Sequence, residues 1–181
     1  MKPEQADPDG YGIRPMRAGE ARLLLDVDAA STTLISDVEN PEIAAIATSC
    51  GPDLSVFGRQ LDESSVLVAH DNADRPVGFI AFERIEQDIY IWLLAVHPDH
   101  VRQKLGSRLL TSALDTGRSL GADRCVLSTF RDVPFNAPFY ARHGFTELAL
   151  SEAPSVHVQR FHDEVPPGTD PNLRLLMQFR L

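Results

Sequence analysis

One stretch near the middle of the chain constrains the fold more than any other, because a strand, a helix and a second strand follow one another there with little between them. Residues 89–96 form an apolar run typical of a strand, and Pro98 ends it because proline has no N–H for the ladder. Residues 102–120 then repeat apolar side chains at helical spacing, and residues 124–130 alternate like a short strand. This order predicts a right-handed crossover and a locally parallel pair of strands.

The first strand of that unit is expected at the centre of the sheet. Its residues are apolar at both parities, which is typical of a strand covered on both faces. Regular alternation places Tyr90, Trp92 and Leu94 on one face and Ile91, Leu93 and Ala95 on the other.

The flanking segments complete a mixed α+β pattern. Two strands at 65–70 and 77–84 precede the central strand and predict an antiparallel meander with it. Asn40 followed by Pro41 predicts the start of a helix. The Asn40 side chain is able to cap the first turn, and the first helical position has no need of the N–H donor that proline lacks. Further strands are predicted at 11–17, 145–150 and 173–181, further helices at 20–35 and 137–143, and a long polar loop at 154–172.

The formal net charge of the chain restricts the kinds of molecule that it is expected to bind. The chain has 17 Lys plus Arg against 26 Asp plus Glu, a formal charge of −9. Such a surface repels phosphate backbones, which argues against nucleic acid as a partner and favours a cationic small substrate.

Segment composition bears on location and domain organisation. Residues 1–10 are polar and predict a flexible leader before a single domain at 11–181, and the apolar run 90–96 is far too short for a membrane span. Cys50 and Cys125 lack C-x-x-C spacing, so neither a zinc knuckle nor a disulfide framework is expected. The chain is therefore expected in the cytoplasm.

The turn that joins the central strand to its helix is the first candidate site. The start of a helix presents unpaired N–H groups and a positive dipole end, and Arg102, Lys104 and Arg108 add cations to an otherwise acidic chain. This pattern favours a phosphate-bearing ligand. The alternative is a surface helix whose solvent face is basic.

Two segments carry a resemblance to a known family. The first runs from Val96-His97-Pro98 into 101–106, and the second is 136–145, in which Tyr140 is followed after three residues by Gly-Phe. Both segments, and the order of elements, resemble the GNAT-type N-acetyltransferases, which transfer an acetyl group from acetyl-CoA to an amine. The resemblance implies the GNAT acyl-CoA N-acyltransferase fold: a central, mostly antiparallel sheet with a splayed parallel pair and helices on both faces.

By the same resemblance, the loop after the central strand grips the diphosphate of the coenzyme. The family usually has Arg or Gln at the first position of this loop and Gly at the fourth, where this chain has Val101 and Lys104, while Gly106 is retained. A left-handed Lys104 would cost on the order of 1–2 kcal/mol, but helical geometry would cost nothing and deliver a compensating cation, the alternative we favour. The implied coenzyme-binding residues are Val101, Arg102, Gln103, Lys104, Leu105, Gly106 and Ser107.

The resemblance also implies roles around the reacting atoms. Tyr140 is expected near the coenzyme sulfur as general acid, although a core aromatic residue is the alternative. Asn136 is expected to contact the pantetheine arm. Main-chain N–H groups of Leu94, Ala95 and Val96 are expected to bind the thioester oxygen and the pantetheine amides, as in strand addition to a sheet edge.

The proton acceptor is less well marked. An alkylammonium with a pKa near 10.4 must lose a proton before it attacks a thioester, at a cost of roughly 4–5 kcal/mol at pH 7. Many relatives carry a carboxylate just before the valine of Val-x-Pro, but this chain has Trp92 and Leu93 there. Asp88 and Glu83, acting directly or through water, remain as candidate bases. Trp92 is a candidate acceptor-pocket residue, or simply a core residue.

The sequence thus predicts an N-acetyltransferase that moves acetyl from acetyl-CoA to a primary amine of a small molecule or peptide, by direct attack in a ternary complex. The alternative is a catalytically idle acyl-CoA-binding regulatory module. A hydrolase or another transferase that uses the long C-terminal loop, with His157 or His162 as base, ranks last, because no paired serine or cysteine nucleophile is apparent. His97 and His100 lack a completing carboxylate or cysteine cluster, so no metal is expected. Pairing of subunits into a homodimer through the terminal strands is compatible with such a fold.

Overall fold

The computed structural model describes residues 10–48 and 51–181, so the expected leader at 1–10, apart from Gly10, and Cys50 lie outside the described residues. The strands are β1 (Gly12–Pro15), β2 (Ser65–His70), β3 (Pro76–Ile85), β4 (Asp88–Val96), β5 (Arg124–Phe130), β6 (Thr146–Leu148) and β7 (Arg174–Arg180). The helices are α1 (Ala21–Thr32), α2 (Pro41–Ile46), α3 (Leu54–Asp62), α4 (Leu105–Ser119), α5 (Ala137–Arg142) and α6 (Ser155–Asp163).

The strands form one seven-stranded sheet in the order β1-β2-β3-β4-β5-β7-β6. The pair β4–β5 is parallel, and the other neighbouring pairs are antiparallel. The predicted meander of β2, β3 and β4 and the crossover through α4 are both confirmed, as is the mixed α+β class. Helices cover both faces of this sheet.

Local signals explain where several helices begin and end. The side chain of Asn40 accepts hydrogen bonds from the main-chain N–H groups of Glu42 and Ile43, so the predicted cap of α2 is confirmed. The short helix α5 ends before Gly144, whose φ of +88° is the left-handed conformation that glycine adopts at low cost.

The apolar faces of the helices define two main layers of core. On one face of the sheet, α4 buries Leu105, Leu109 and Leu110 against β3, β4 and β5. On the other, Leu24 of α1 and Phe57 of α3 pack against β2 and β3, with α6 nearby over β4 and β5. Among residues 10–48 and 51–181, no helix is both long and apolar enough to span a bilayer.

A β-bulge interrupts the central strand. Opposite β3, Ile91 pairs with Phe82 and Leu93 pairs with Ala81, so Trp92 is an extra residue on β4. The extra residue reverses the alternation beyond it: Ile91 packs on the α4 face and so does Leu94, while Leu93 packs on the opposite face. The prediction that Leu94 shares a face with Tyr90 and Trp92 was therefore wrong, because it assumed an uninterrupted strand.

Two helices were not predicted. The segment 154–172, expected to be a polar loop, contains α6 and a short 3-10 turn, and α6 buries His157 and Phe161 at helical spacing. The missed helix α3 is capped by Asp53 and buries Phe57 and Leu61, also four residues apart. Short helices with many polar residues give a weak periodic signal, and their stability comes from packing against the sheet.

A buried polar cluster joins α6 to the start of the central strand. The Asp88 carboxylate accepts hydrogen bonds from Nε and Nη2 of Arg124 at 3.1 and 2.8 Å, and His157 Nε2 lies 2.8 Å from its Oδ2. Asp88 is 4% exposed and His157 1% exposed, and the imidazole stacks on Tyr90. Because a carboxylate only accepts, Nε2 of His157 donates this bond. The cluster ties α6, β4 and β5 together.

Removal of the charge at Asp88 should destabilise the fold. We expect Asp88→Asn to lower the free energy of unfolding in urea by about 3 kcal/mol, because Arg124 and His157 lose a buried partner. As a control, Asp115→Asn removes an exposed carboxylate that pairs with Arg118 on α4, and should change stability by less than about 0.5 kcal/mol. Equal, small losses in both variants would contradict a stabilising role for the cluster.

Candidate functional site

The bulge at Trp92 coincides with the place where the sheet opens. The parallel pairing of β4 with β5 ends at Ile91 and Leu127, whereas β4 stays paired with β3 as far as Val96. Beyond this point β5 follows β7, with which it pairs through Phe130. The two halves of the sheet therefore separate and leave a cleft between them.

Main-chain groups of β4 face this cleft. His97 donates its N–H to the carbonyl of Val77 on β3 at 2.8 Å. Because successive residues of a strand turn their N–H groups to opposite sides, the N–H groups of Val96 and Leu94 point away from β3, toward the missing β5 partner. The N–H of Ala95 instead faces β3, so the expectation of three donors is corrected to two.

The loop after β4 has an unusual backbone. Arg102 has a φ of +67° and Lys104 a φ of +58°, both in the left-handed region. Lys104 is the residue that caps α4, so the favoured alternative of helical geometry at this position was wrong. Each left-handed residue that is not glycine costs on the order of 1–2 kcal/mol, which the rest of the fold must offset.

This conformation gathers unpaired donors. Within the described part of the chain, the N–H groups of residues 102–107 donate to no main-chain or side-chain acceptor. Left-handed residues between extended or helical ones turn successive N–H groups to one side, which forms a concave anion site. Arg102 and Lys104 are exposed and have no ion-pair partner among the described residues, so their charges add to the dipole of α4.

Two connected cavities follow the cleft. The outer cavity, about 230 Å³, is lined by the loop, from Val101 and Arg102 to Ser107, although Gln103 does not line it. The inner cavity, about 320 Å³, is lined by residues 93–96 of β4 and by the start of α5. Both include Val96, Val101, Gly106 and Phe139, so one continuous channel runs from the loop into the sheet.

Two sequence-predicted residues lie together in the inner cavity. Tyr140 and Asn136 both line it, one turn apart at the start of α5. No described residue bonds to the hydroxyl of Tyr140 or to the side-chain amide of Asn136, so both polar groups are available to a ligand. Burial raises the pKa of Tyr140 well above its usual value, and the hydroxyl stays protonated at neutral pH.

The two predicted bases lie elsewhere. Asp88 is at the opposite end of β4 from residues 94–96, bound to Arg124 and His157, and Glu83 pairs with Arg160 at 2.9 Å. Neither carboxylate lines the inner or the outer cavity. Their positions do not favour a role as proton acceptor.

Trp92 also lies away from the cleft. Its indole N–H donates to the hydroxyl of Ser64 at 2.9 Å, and the ring packs edge-to-face on Phe57 of α3. It does not line the inner cavity. The position corresponds to the core alternative rather than to the acceptor pocket.

One cavity residue was missed by the sequence analysis. Asp28 of α1 lines the inner cavity, and burial raises its pKa to about 6. The signal was present, because Asp28 is four residues after Leu24 and adjacent to Val27, the two buried residues of α1. A carboxylate on the apolar face of a helix is unusual enough to mark a candidate functional residue.

The described histidine and cysteine side chains were compared with the requirements of a metal site and of a reactive thiol. Among residues 10–48 and 51–181, no group of three or more His, Cys, Asp or Glu side chains is arranged to hold a metal ion. Cys125 is a buried free thiol, and burial raises its pKa far above the usual value. A thiol in this environment is a poor nucleophile.

Both the sequence and the fold match known proteins. The family model for acetyltransferases of the GNAT family matches residues 28–145. The fold is similar to that of the PaiA N-acetyltransferase from Thermoplasma acidophilum, solved in complex with coenzyme A, at 19% identity over 94% of this chain and 99% of that chain, with a TM-score of 0.65. It is also similar to a GNAT family acetyltransferase from Elizabethkingia anophelis with acetyl-CoA bound, at 17% identity over 96% of this chain and 99% of that chain, with a TM-score of 0.63.

A third similar structure belongs to a longer chain. N-acetylglutamate synthase from Neisseria gonorrhoeae, complexed with coenzyme A and N-acetyl-glutamate, matches at 16% identity over 94% of this chain and 35% of that chain, with a TM-score of 0.68. At these identities the likeness to solved structures shows the fold, and the family model carries the assignment. The chain belongs to the GNAT family of acetyltransferases.

Proposed function

We propose that residues 11–181 form a single N-acetyltransferase domain, which transfers acetyl from acetyl-CoA to a primary amine by direct attack in a ternary complex. One observation carries the proposal: the loop with unpaired N–H groups at residues 102–107, the open edge of β4 at Leu94 and Val96, and Tyr140 line two adjoining cavities. The coenzyme supplies the acetyl thioester when bound. The loop N–H groups fit its diphosphate, the N–H groups of Leu94 and Val96 fit its amide-containing arm, and the hydroxyl of Tyr140 fits its sulfur.

The loop before α4 is suited to the diphosphate. Its main-chain donors need no particular side chain, so the loss of the family's Arg or Gln at Val101 does not remove them. The exposed cations of Arg102 and Lys104 lie on the same loop and attract phosphate oxygens. In a chain with a formal charge of −9, this concentration of positive charge favours the ligand at one end of the channel.

The open edge of β4 is suited to the pantetheine arm. Its amides are able to pair with the main-chain groups of Leu94 and Val96 as an additional short strand, which satisfies groups that β5 leaves unpaired. Asn136, whose side-chain amide is free, also lines the inner cavity. This arrangement directs the thioester toward Tyr140.

Tyr140 is suited to protonate the departing sulfur. A thiolate has an intrinsic pKa of about 8.5, and desolvation raises its proton affinity as it raises that of the phenol, so Tyr140 remains able to give it a proton inside the cavity. The raised pKa of Tyr140 keeps the proton in place until the sulfur becomes charged. Proton transfer from a positioned acid typically accelerates such a step by ~10²–10⁴.

Direct transfer also fits the cysteine environment. Cys125 is inside β5, buried and protonated, so it offers no site for a covalent acetyl-enzyme. A free thiol and the requirement for acetyl-CoA are both consistent with action in the reducing cytoplasm. One similar structure, N-acetylglutamate synthase from N. gonorrhoeae, is complexed with both coenzyme A and N-acetyl-glutamate.

The first test removes the proposed acid. We expect Tyr140→Phe to lower the rate of thiol release from acetyl-CoA, measured with a thiol-reactive dye and a panel of primary amines, by about 10²-fold. Coenzyme affinity, measured by titration calorimetry, should stay within about twofold, because binding is assigned to other groups.

Tyr90→Phe is the matched control, since it removes another buried tyrosine hydroxyl, one that donates to Glu164 at 3.0 Å outside the cleft. Its activity should remain near that of the wild type. Thiol release in wild type that is unchanged in Tyr140→Phe would contradict the acid role. Intact coenzyme binding with no release from any amine would favour the idle acyl-CoA-binding module instead.

The second test separates charge from backbone strain at Lys104. We expect Lys104→Gly to raise the free energy of unfolding by about 0.5–1 kcal/mol, because glycine adopts a positive φ at little cost. The same variant should weaken coenzyme A binding about fivefold, because one cation near the phosphates is lost.

Lys104→Met provides the comparison, since it loses the charge and keeps the strain. It should weaken binding to a similar degree without the gain in stability. Arg118→Met, at the far end of α4, should leave coenzyme affinity unchanged. Tighter binding by either Lys104 variant would show that this side chain obstructs the phosphates rather than attracting them.

A further inference from the structure

The carboxylate of Asp28 is isolated inside the cleft. The hydroxyls of Ser31 and Thr32 donate to its main-chain carbonyl, and no described residue forms a hydrogen bond or ion pair with the carboxylate itself. Desolvation by burial accounts for its raised pKa, with no opposing contribution from a cation. A positively charged ligand would supply the protein-side partner that this carboxylate lacks.

Among the described residues, the walls around Asp28 offer no positive charge. The residues that line the inner cavity come from α1 and the turn after it, α2, β4, the start of α4, the end of β5 and α5, and Asp28 and Tyr140 are the titratable groups among them. The adjoining cavity, about 490 Å³, shares Leu34 and Phe135 with the inner one. Its charged lining residues are all acidic, namely Asp37, Glu39 and Asp132.

Apart from Asn136 and from Ser31 and Thr32, whose hydroxyls donate to the Asp28 carbonyl, most of the inner wall is apolar. Leu34, Ile46, Phe130 and Phe135 lie around the same cavity, which also contains Tyr140. A ligand that reaches Asp28 therefore brings a positive charge carried on an apolar stem. A carboxylate beside the amine would be repelled by Asp28 and by the acidic residues of the adjoining cavity.

We propose that Asp28 binds the protonated amine of the acceptor and takes its proton, and that the acceptor is a primary alkyl or arylalkyl amine without a neighbouring carboxylate. This inference rests on the proposed acetyl transfer and adds to it the proton acceptor and the substrate class. It also replaces Asp88 and Glu83 in that role, since neither lines the cavity.

The reaction balances with these two groups. Asp28 takes one proton from the ammonium, and the neutral nitrogen forms a C–N bond to the thioester carbon. When the C–S bond breaks, Tyr140 gives its proton to the sulfur and recovers one from the acetylated nitrogen. Asp28 then releases its proton to solvent. The products are the amide, the free thiol and one proton.

The decisive experiment compares Asp28→Asn with Asp26→Asn, which changes an exposed aspartate of the same helix that pairs with Arg22. With 2-phenylethylamine as acceptor, we expect kcat/KM to fall at least 10²-fold in Asp28→Asn and to change less than twofold in Asp26→Asn. Coenzyme A affinity should be unchanged in both. Glutamate, an amine with neighbouring carboxylates, should be a poor acceptor for the wild type.

Two further readouts separate a proton acceptor from a residue that merely supports the fold. In the wild type, kcat/KM should fall as the pH drops below about 6, where Asp28 becomes protonated, and Asp28→Asn should lack this inflection. An alkoxyamine, largely neutral at pH 8 without any base, should lose much less activity in Asp28→Asn than 2-phenylethylamine does.

Stability gives an independent check. The folded-state pKa of about 6 exceeds the ordinary 3.8, so the ionised carboxylate weakens the fold progressively as the pH rises from about 4 to 6. Asp28→Asn should therefore raise the Tm by about 5 °C at pH 8 and by far less at pH 4.

The outcomes distinguish this inference from the proposed function. Wild-type transfer that is unaffected by Asp28→Asn overturns the inference and leaves the proposed function standing. An equal loss with both amines, or a fall in Tm at pH 8, also overturns it, because either would indicate a structural role. Absence of transfer to any amine by the wild type contradicts the proposed function itself.

Discussion

The cleft depends on one irregularity in the central strand. The extra residue at Trp92 bends β4 after Ile91, and the parallel ladder to β5 ends at the same place. A sheet of this size normally pairs the main-chain groups of its inner strands. Here the groups of Leu94 and Val96 are left without a strand partner in the middle of the sheet. Because unpaired main-chain groups are costly when buried, this opening favours a ligand that carries amides of its own.

The same logic applies at the phosphate loop, where function and stability oppose each other. Two left-handed residues, Arg102 and Lys104, lie on either side of Gln103 and are unfavourable by themselves, yet the loop that they shape has unpaired N–H groups and lines the outer cavity. Lysine at position 104 adopts a positive φ at a higher cost than glycine would, and it adds a positive charge. The strain and the cation are thus two properties of one residue, which is why variants that separate them are informative.

Much of the architecture was predictable because its signals are local. Hydrophobic periodicity, the cap at Asn40 and the Gly-Phe after α5 located most elements, and with the Val-x-Pro motif they indicated the family. What was missed depends on the tertiary structure. The helices α3 and α6 owe their stability to packing, and the bulge at Trp92 is defined only against β3. The positive φ of Lys104 has no signal in the residue type, because lysine seldom adopts it.

Three carboxylates, one buried and two partly buried, show why site residues are harder to predict than folds. Asp88 is neutralised by Arg124 and His157, which lie 36 and 69 positions away in the chain. Glu164 has its pKa raised by burial to about 7, but it accepts a hydrogen bond from Tyr90 and faces Arg174. Asp28 has neither kind of partner. A raised pKa is common to Glu164 and Asp28, so it does not distinguish them. Their hydrogen-bond and ion-pair partners do. Because those partners come from distant parts of the chain, the sequence places all three residues in the same class, and only the fold identifies the one that is free to meet a substrate.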